Sequence, residues 1–393
     1  MAVEVPSKSS DSQFSISQLV TRFRSKTRRS SKNPKPENEN ANLSHDPRPP
    51  LIPSPLPLVL PAHQQALPNL GWTTITFPPA TPSPSPTDAP SPGSHPLQIA
   101  YQDLFAAAQL FFNQPSAEKQ VWAHKLGTEE GWSCVAGEKE FITLRTLSYC
   151  PEVLRAPAKR YWDLMGTHLH STLARISTAL DLPHPEDPES ALRRFVGPCA
   201  SMPHEDKDKT ATMLRLFRYE GAEPKVVAEP HADLGLLSVV VGDVPGLEVW
   251  DGRGWFEVER EAAKRGDKGA SLLVGRQLQR LSNGRFPPGG HRVVAYGKPP
   301  EQAPKPAGQD ESEEKHYRFS IVFVLRAHEP VLINSADLET EITGRWDEPV
   351  VGVTAGRLYN EIRKRHFNIN IGAEEREKQR MKVREMKESG GSG

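Results

Sequence analysis

Apolar residues recur with two different periods along this chain, and the change between them falls near residue 211. Upstream, Tyr101, Leu104, Phe105, Ala108, Phe111 and Phe112 repeat at helical spacing, which predicts an amphipathic helix over 98–113. Residues 113–116 interrupt it, and a helix resumes over 117–124. Tyr161, Met165, Leu169, Leu173, Ile176 and Leu180 predict a longer helix from about 152 to 180. Downstream the period shortens, and short strands are expected at 213–219, 236–241, 247–250, 255–258, 271–274, 292–295 and 318–325. The third and fourth flank Asp251-Gly252-Arg253-Gly254, a hairpin signal. A short strand is also expected at 71–77. The segment 354–367 reads as a closing helix with Thr354 as its N-cap and Leu358, Ile362 and Phe367 turned inward. The fold class is therefore α+β: a jelly-roll or sandwich core of antiparallel strands, preceded by supporting helices and followed by one more.

Composition divides the chain further. It has 393 residues, 36% of them hydrophobic, and 38 prolines, of which 16 fall within 47–96. The mean hydropathy of −0.56 is low for a fully packed chain, so part of it is expected to stay unfolded. The expected layout is a mostly disordered, basic and Pro-rich segment over 1–70 and a helical region over 71–210 with a Pro/Ser insertion at 78–96. A jelly-roll core follows over 211–334 with a mobile insertion at 297–316, then a C-terminal helical segment over 335–370 and a charged tail over 371–393, read from 374 as a fraying helix. An apolar patch at 56–60 has the makings of an edge strand. Lysine plus arginine and aspartate plus glutamate balance at 49 each, so no global field argues for nucleic acid or membrane as a partner. Three scattered cysteines, Cys134, Cys150 and Cys199, suit free thiols in a reducing compartment. No apolar run of 18 residues occurs, and an intracellular, cytoplasmic monomer is expected. The basic cluster at 22–35 reads first as a solvated tail, with a nuclear address, a nucleic-acid arm or a transit peptide as the functional alternatives.

Candidate chemistry begins at 226–241, Val-Val-Ala-Glu-Pro-His-Ala-Asp-Leu-Gly-Leu-Leu-Ser-Val-Val-Val. Read as one extended run, it projects His231 and Asp233 to the same face, two-thirds of a facial metal site. An exposed polar pair at a strand end is the simpler alternative. His291, in Gly-Gly-His-Arg-Val-Val, is placed to complete the set. His168 and His170 sit on the long helix, where a spacing of two turns them some 200° apart, so they are read as boundary residues. The polar segment 201–210 reads as a hairpin loop. At 318–325, Arg318, Ser320, Val322 and Val324 alternate with Phe319, Ile321, Phe323 and Leu325. Arg318 and Ser320 therefore share an otherwise apolar face, and a guanidinium there needs an anion. Either a bound carboxylate gripped as a fork–fork pair or a protein carboxylate at the strand edge satisfies it.

The order of these motifs, with Leu-Ser-Asn-Gly-Arg at 281–285 between the second and third ligands, resembles the iron(II)/2-oxoglutarate-dependent dioxygenases of the isopenicillin-N-synthase-like group. Gly71–Phe77, Phe111-Phe112, Pro115, Glu118-Lys119, Gly131-Trp132, Glu138-Lys139-Glu140 and Leu214-Arg215-Leu216 extend the resemblance over roughly 70–370. It implies a double-stranded β-helix core, iron on His231, Asp233 and His291, and the distal carboxylate of 2-oxoglutarate on Arg318 and Ser320, with Tyr219 as a third contact. It implies oxidation of a small organic substrate by dioxygen (hydroxylation, desaturation or cyclisation), with release of succinate and carbon dioxide. The chain departs from the family at Phe217, where an asparagine is common, at Arg276, where an acidic residue is usual, and in the 27 residues between His291 and Arg318. An iron oxidase of the same fold that does not use 2-oxoglutarate, and a catalytically silent scaffold, are the alternatives.

Overall fold

The computed structural model describes residues 46–77, 95–221, 223–264, 269–297 and 317–390. The basic cluster at 22–35, the Pro/Ser insertion and nearly all of the 297–316 insertion lie outside them. The described residues belong to the compact unit His45–Gly393.

In chain order the elements that build the core begin with α1 (Ala66–Leu70) and β1 (Trp72–Thr76). They continue with α2 (Pro96–Phe112), α3 (Ser116–Gln120), β2 (Gly131–Val135), β3 (Lys139–Leu144) and α4 (Glu152–Ala179). The strands β4 (Met213–Glu220), β5 (Pro224–His231), β6 (Leu237–Gly242), β7 (Leu247–Trp250) and β8 (Trp255–Phe256) follow. The last group is α5 (Val258–Lys264), β9 (Gly269–Val274), α6 (Arg276–Leu281), β10 (His291–Tyr296), β11 (Tyr317–Leu325), α7 (Ala355–Lys364) and α8 (Ala373–Gly390). Two antiparallel sheets result, a larger one in the order β1-β9-β6-β11-β4-β3-β2 and a smaller one in the order β5-β10-β7-β8. This is the jelly roll that the strand pattern predicts.

The strands at the centre of the larger sheet have two buried faces, and that is what positions the site. On β11, Phe319, Ile321 and Phe323 pack outward against the helices: Phe323 meets Trp162 at 5.3 Å and Tyr161 at 6.5 Å between ring centroids, and Phe319 meets Phe112 at 6.1 Å. On β4, Leu214 and Leu216 join the same helix-side core. The alternation then obliges the opposite residues to face the space between the sheets. There Phe141, Phe217, Tyr219, Val227, Val240, Leu247, Val249, Leu273 and Val293 form a second apolar cluster.

Both boundaries of the core differ from the sequence expectation. Within the segment expected to be mostly disordered over 1–70, the described part is seated on the fold: Leu56, Val59 and Leu67 are buried, and Val59 makes the edge pairing expected at 56–60, a bridge to Ile75 on β1. Proline content suggests disorder, yet three apolar side chains in a proline-rich stretch suffice to seat it on the sheet edge. At the other end, the helix expected within the charged tail forms as α8, and it is docked where fraying was expected. Arg376 anchors it, donating to both carboxylate oxygens of Glu138 at 2.7 and 2.9 Å and lying 3.2 Å from Glu229, which also pairs with Arg380. Strands expected to run through 258 stop at Phe256, because Val258 begins α5. The N-cap of α7 is as expected, with Thr354 Oγ1 accepting from Arg357 N.

Replacing Arg376 by alanine leaves two carboxylates facing each other without their shared cation. Because the pair is partly solvated, a loss of about 1–2 kcal/mol is expected in equilibrium denaturation. An unchanged midpoint would show that α8 docks by apolar contacts alone.

Candidate metal and carboxylate site

His231 ends β5 and His291 begins β10, and the two strands pair so that these residues stand directly opposite each other. Their rings lie 4.1 Å apart between centroids. Asp233 joins them: its Oδ1 is 3.9 Å from His231 Nε2, and one ligand atom from each of the three residues lies within 4.8 Å of the others. The second Asp233 oxygen, Oδ2, is buried and has no hydrogen-bond partner. A buried, unsatisfied carboxylate oxygen is costly unless something completes it.

The residues converge, but not for the reason the sequence suggests. The 226–241 stretch is not one strand. It breaks after His231, and Asp233 lies in the turn that carries the chain from the smaller sheet to the larger one. The backbone of that turn is held from α6: Arg276 N donates to Asp233 O at 2.8 Å, Gln277 N to Gly235 O at 3.0 Å, and Gly275 N to Leu236 O at 2.9 Å. Arg276, one of the family departures, thus supports the turn through its backbone, and its side chain reaches Gln279 at 3.1 Å.

Both imidazoles are oriented from behind. Glu229 O lies 2.7 Å from His231 Nδ1, and Gly289 O lies 2.9 Å from His291 Nδ1. A carbonyl can only accept, so each Nδ1 carries a proton, and in the neutral ring Nε2 is then the nitrogen left to ligate. Burial, with His291 alongside, holds the His231 imidazolium well below its usual range, against the pull of Asp233. Asp233 is held low by His291 and His231 although burial works against it. A divalent metal needs its imidazole ligands neutral and its carboxylate ligand ionised, and burial favours the neutral form of His231.

The candidate anion-binding face lies on the neighbouring strands. Register places Arg318 beside Tyr219 and Ser320 beside Phe217. Arg318, Ser320 and Tyr219 are each 2% exposed, and the Arg318 guanidinium carbon is 5.7 Å from the Tyr219 ring. Phe217, in place of an asparagine, stacks on Tyr219 at 5.1 Å and 13° and offers no polar contact. Burial pushes the Tyr219 phenol up to about 12, so it remains a donor. The expected fork–fork grip on a ligand is not available as drawn from sequence. Arg318 Nη2 already donates to both oxygens of Glu259 on α5, at 3.1 and 2.9 Å, and Nε donates to Val244 O at 3.1 Å. Only Nη1 and Ser320 Oγ remain, both buried and both without a partner.

Three charged residues near the site were not singled out by sequence reasoning. Glu259 is one, and nothing in its local pattern marks it. Arg215 and Lys139 are the others, and for Arg215 the signal existed: it shares its strand face with Phe217 and Tyr219. Arg215 Nε donates to Thr143 Oγ1 at 2.7 Å, and its nearest carboxylate, Glu129, is 4.0 Å away and is engaged by Arg326. Lys139 is 2% exposed and donates to Ile369 O and Val227 O, with no carboxylate within 4.0 Å among the described residues. Burial pulls its pKa from 10.5 down to about 8. Of the histidines set aside, His170 pairs with Arg193 at 3.1 Å and His168 is half-buried on α4, away from the site, while 201–210 forms a loop with one short 3-10 turn.

Two outcomes follow from this geometry. A Cβ at Gly275 would overlap the Gly235 backbone, which cannot yield without moving the Asp233 turn. Gly275→Ala should cost about 2–4 kcal/mol and weaken divalent-metal binding, read by thermal melting and by cobalt(II) titration. For Lys139 the depressed pKa means the charged form is penalised in the fold. The penalty is complete below pH 8 and fades as pH rises from about 8 to about 10.5, so stability should rise over that window. Lys139→Met should be more stable than the parent by about 2 kcal/mol at pH 7, with the difference shrinking by about pH 10.

No family model matches the chain. A curated protein of Arabidopsis thaliana named "Probable flavonol synthase 6" is 32% identical over 92 residues, which span 23% of this chain and 30% of that protein. Among solved structures, a full-length Neurospora crassa protein in complex with alpha-KG is 16% identical at a TM-score of 0.51, covering 76% of this chain and 88% of that one. A 2OG-Fe(II) oxygenase family protein from Caulobacter crescentus is 18% identical at 0.51, covering 76% and 92%. JOX2 in complex with 2OG, Fe and JA is 15% identical at 0.51, covering 76% and 78%. Two sheets in jelly-roll order, the helical layer behind the larger one and these likenesses agree: the chain has the fold of the iron(II)/2-oxoglutarate oxygenases.

Proposed function

We propose that this protein is an iron(II)- and 2-oxoglutarate-dependent dioxygenase acting on a small organic substrate. The observation that carries the reading is that two unfinished groups lie on strands that share one apolar cluster between the sheets. Asp233 Oδ2 lacks a partner in a group with two imidazoles, and Arg318 Nη1 and Ser320 Oγ, two residues apart on β11, each lack one. The first fits a metal held on His231, Asp233 and His291, and the second fits a carboxylate oxygen. When bound, iron(II) would supply the coordination positions at which a 2-oxo acid and dioxygen react, coupling release of succinate and carbon dioxide to oxidation of the substrate.

The chain's own contribution is orientation and exclusion. Glu229 O and Gly289 O hold the two rings with Nε2 inward. Arg318, Ser320 and Tyr219, nearly sealed from solvent, offer three donors to the distal carboxylate of 2-oxoglutarate. The apolar wall of Phe141, Phe217, Val240 and Leu273 keeps water away from the reacting centre. The substrate is taken to be a small molecule met by a monomer. Among the described residues no helix is long and apolar enough to cross a membrane.

A second reading is favoured by one observation. Because Glu259 already pairs with Arg318, an iron oxidase of this fold that does without 2-oxoglutarate also accommodates the site. One assay separates them: purified protein with iron(II), ascorbate and 2-oxoglutarate, with succinate measured. Succinate is expected, and His231→Ala should abolish it. Arg318→Ala should weaken 2-oxoglutarate binding by about 100-fold, as loss of a charge-assisted hydrogen bond implies, while iron(II) retention stays the same. Iron binding that is indifferent to 2-oxoglutarate would establish the oxidase, and no iron binding would leave a scaffold.

A further inference from the structure

Arg318 is paired before any ligand arrives, and the pairing is built into the fold in detail. Glu259 Oε2 accepts not only from Arg318 but also from Gly246 N and Leu247 N, each at 2.8 Å. Four hydrogen bonds therefore fix one carboxylate, two from the backbone entering β7 and two from Arg318 Nη2. Room for the pair is made by two glycines. A Cβ at Gly242 would lie 2.5 Å from Arg318 Nη2 and 2.6 Å from Glu259 Oε1, and a Cβ at Gly246 would overlap the Arg318 side chain. Both side chains are largely removed from water, at 3% and 15% exposure, so the attraction between them is weakly screened.

The arrangement has a consequence for recognition. A carboxylate arriving at Nη1 and Ser320 meets a guanidinium whose charge is already balanced across its other edge. It is offered directional hydrogen bonds with little net positive potential, and it lies close enough to Glu259 to be repelled by it. We infer that Glu259 is a specificity-determining positioning residue, an internal counter-carboxylate that engages Arg318 through Nη2, leaves Nη1 without a protein partner and lowers the affinity for the distal carboxylate of a 2-oxo diacid. The inference rests on the reading of the site as a 2-oxoglutarate site. It makes the discrimination between a 2-oxo diacid and a 2-oxo monoacid of equal length weaker than an unpaired arginine would give.

The substitution that isolates the charge is Glu259→Gln. An amide oxygen at the Oε2 position keeps three of the four hydrogen bonds while the negative charge is removed. Binding is measured calorimetrically under anaerobic conditions, with manganese(II) as the metal, for 2-oxoglutarate and for 2-oxopentanoate, which lacks the distal carboxylate. Glu259→Gln should bind 2-oxoglutarate about tenfold more tightly than the parent, with 2-oxopentanoate affinity unchanged. The unchanged monoacid affinity also shows that the variant keeps its site. If 2-oxoglutarate binding is unaltered or weaker, or if both acids tighten together, Glu259 only supports the fold and the inference is wrong. Parent protein that binds manganese(II) but no 2-oxoglutarate removes the underlying site reading, and this inference with it.

Discussion

The register of β10 against β5 is the constraint on which the site depends. It sets His291 opposite His231, and a slip of one residue would turn one imidazole out of the cavity altogether. Backbone pairing holds that register, and close packing before β10 supports it. Gly289 lies so near the Gly71 backbone that neither position has room for a side chain. The loop leading into His291 is thus pressed against the start of β1. A metal group built on two strand ends and one turn needs such bracing, because each ligand comes from a separate element and small errors in placement add.

Charge is distributed in the cavity with comparable economy. Four cationic side chains, Lys139, Arg215, Arg318 and Arg326, are buried around it. Arg326 is neutralised by Glu129 and Arg318 by Glu259, whereas Lys139 rests on backbone carbonyls and Arg215 on a hydroxyl. Two cations are therefore paired closely with protein carboxylates, Arg215 has only the edge of Glu129 at 4.0 Å, and Lys139 is left to dipoles. The compensated arginine at the proposed carboxylate site and the lysine on the His231 side act in opposite senses. One reduces the pull on an incoming anion, and the other helps to keep the histidine neutral.

The helical layer explains why polar residues can be held inside at all. Tyr161, Trp162, Phe111 and Phe112 take up the outward face of β4 and β11 so completely that the other face has no solvent to turn to. Arg318 and Ser320 face inward as a result of where the phenylalanines go. This part was legible in the alternation of 318–325, because a period of two admits only one assignment once the apolar face is known. The helices, the closing cap at Thr354 and most strands were legible for similar reasons: each is announced by local periodicity or by a capping residue.

What escaped the sequence depended on contacts between distant segments. Residues 226–241 look like one extended run, yet the chain turns after His231 because α6 draws the Asp233 backbone toward itself, a contact 43 residues away in sequence (276 − 233). The tail from 371 has the composition of a solvated segment, and it docks only because Glu138 and Glu229 place their carboxylates where Arg376 can span them. Glu259 shows the same limit most clearly. By itself the sequence determined that Arg318 must meet an anion, since its neighbours left it no aqueous face. Only the tertiary structure decided that a protein carboxylate takes one edge and leaves the other open, because which carboxylate comes within reach depends on how α5 packs across β7.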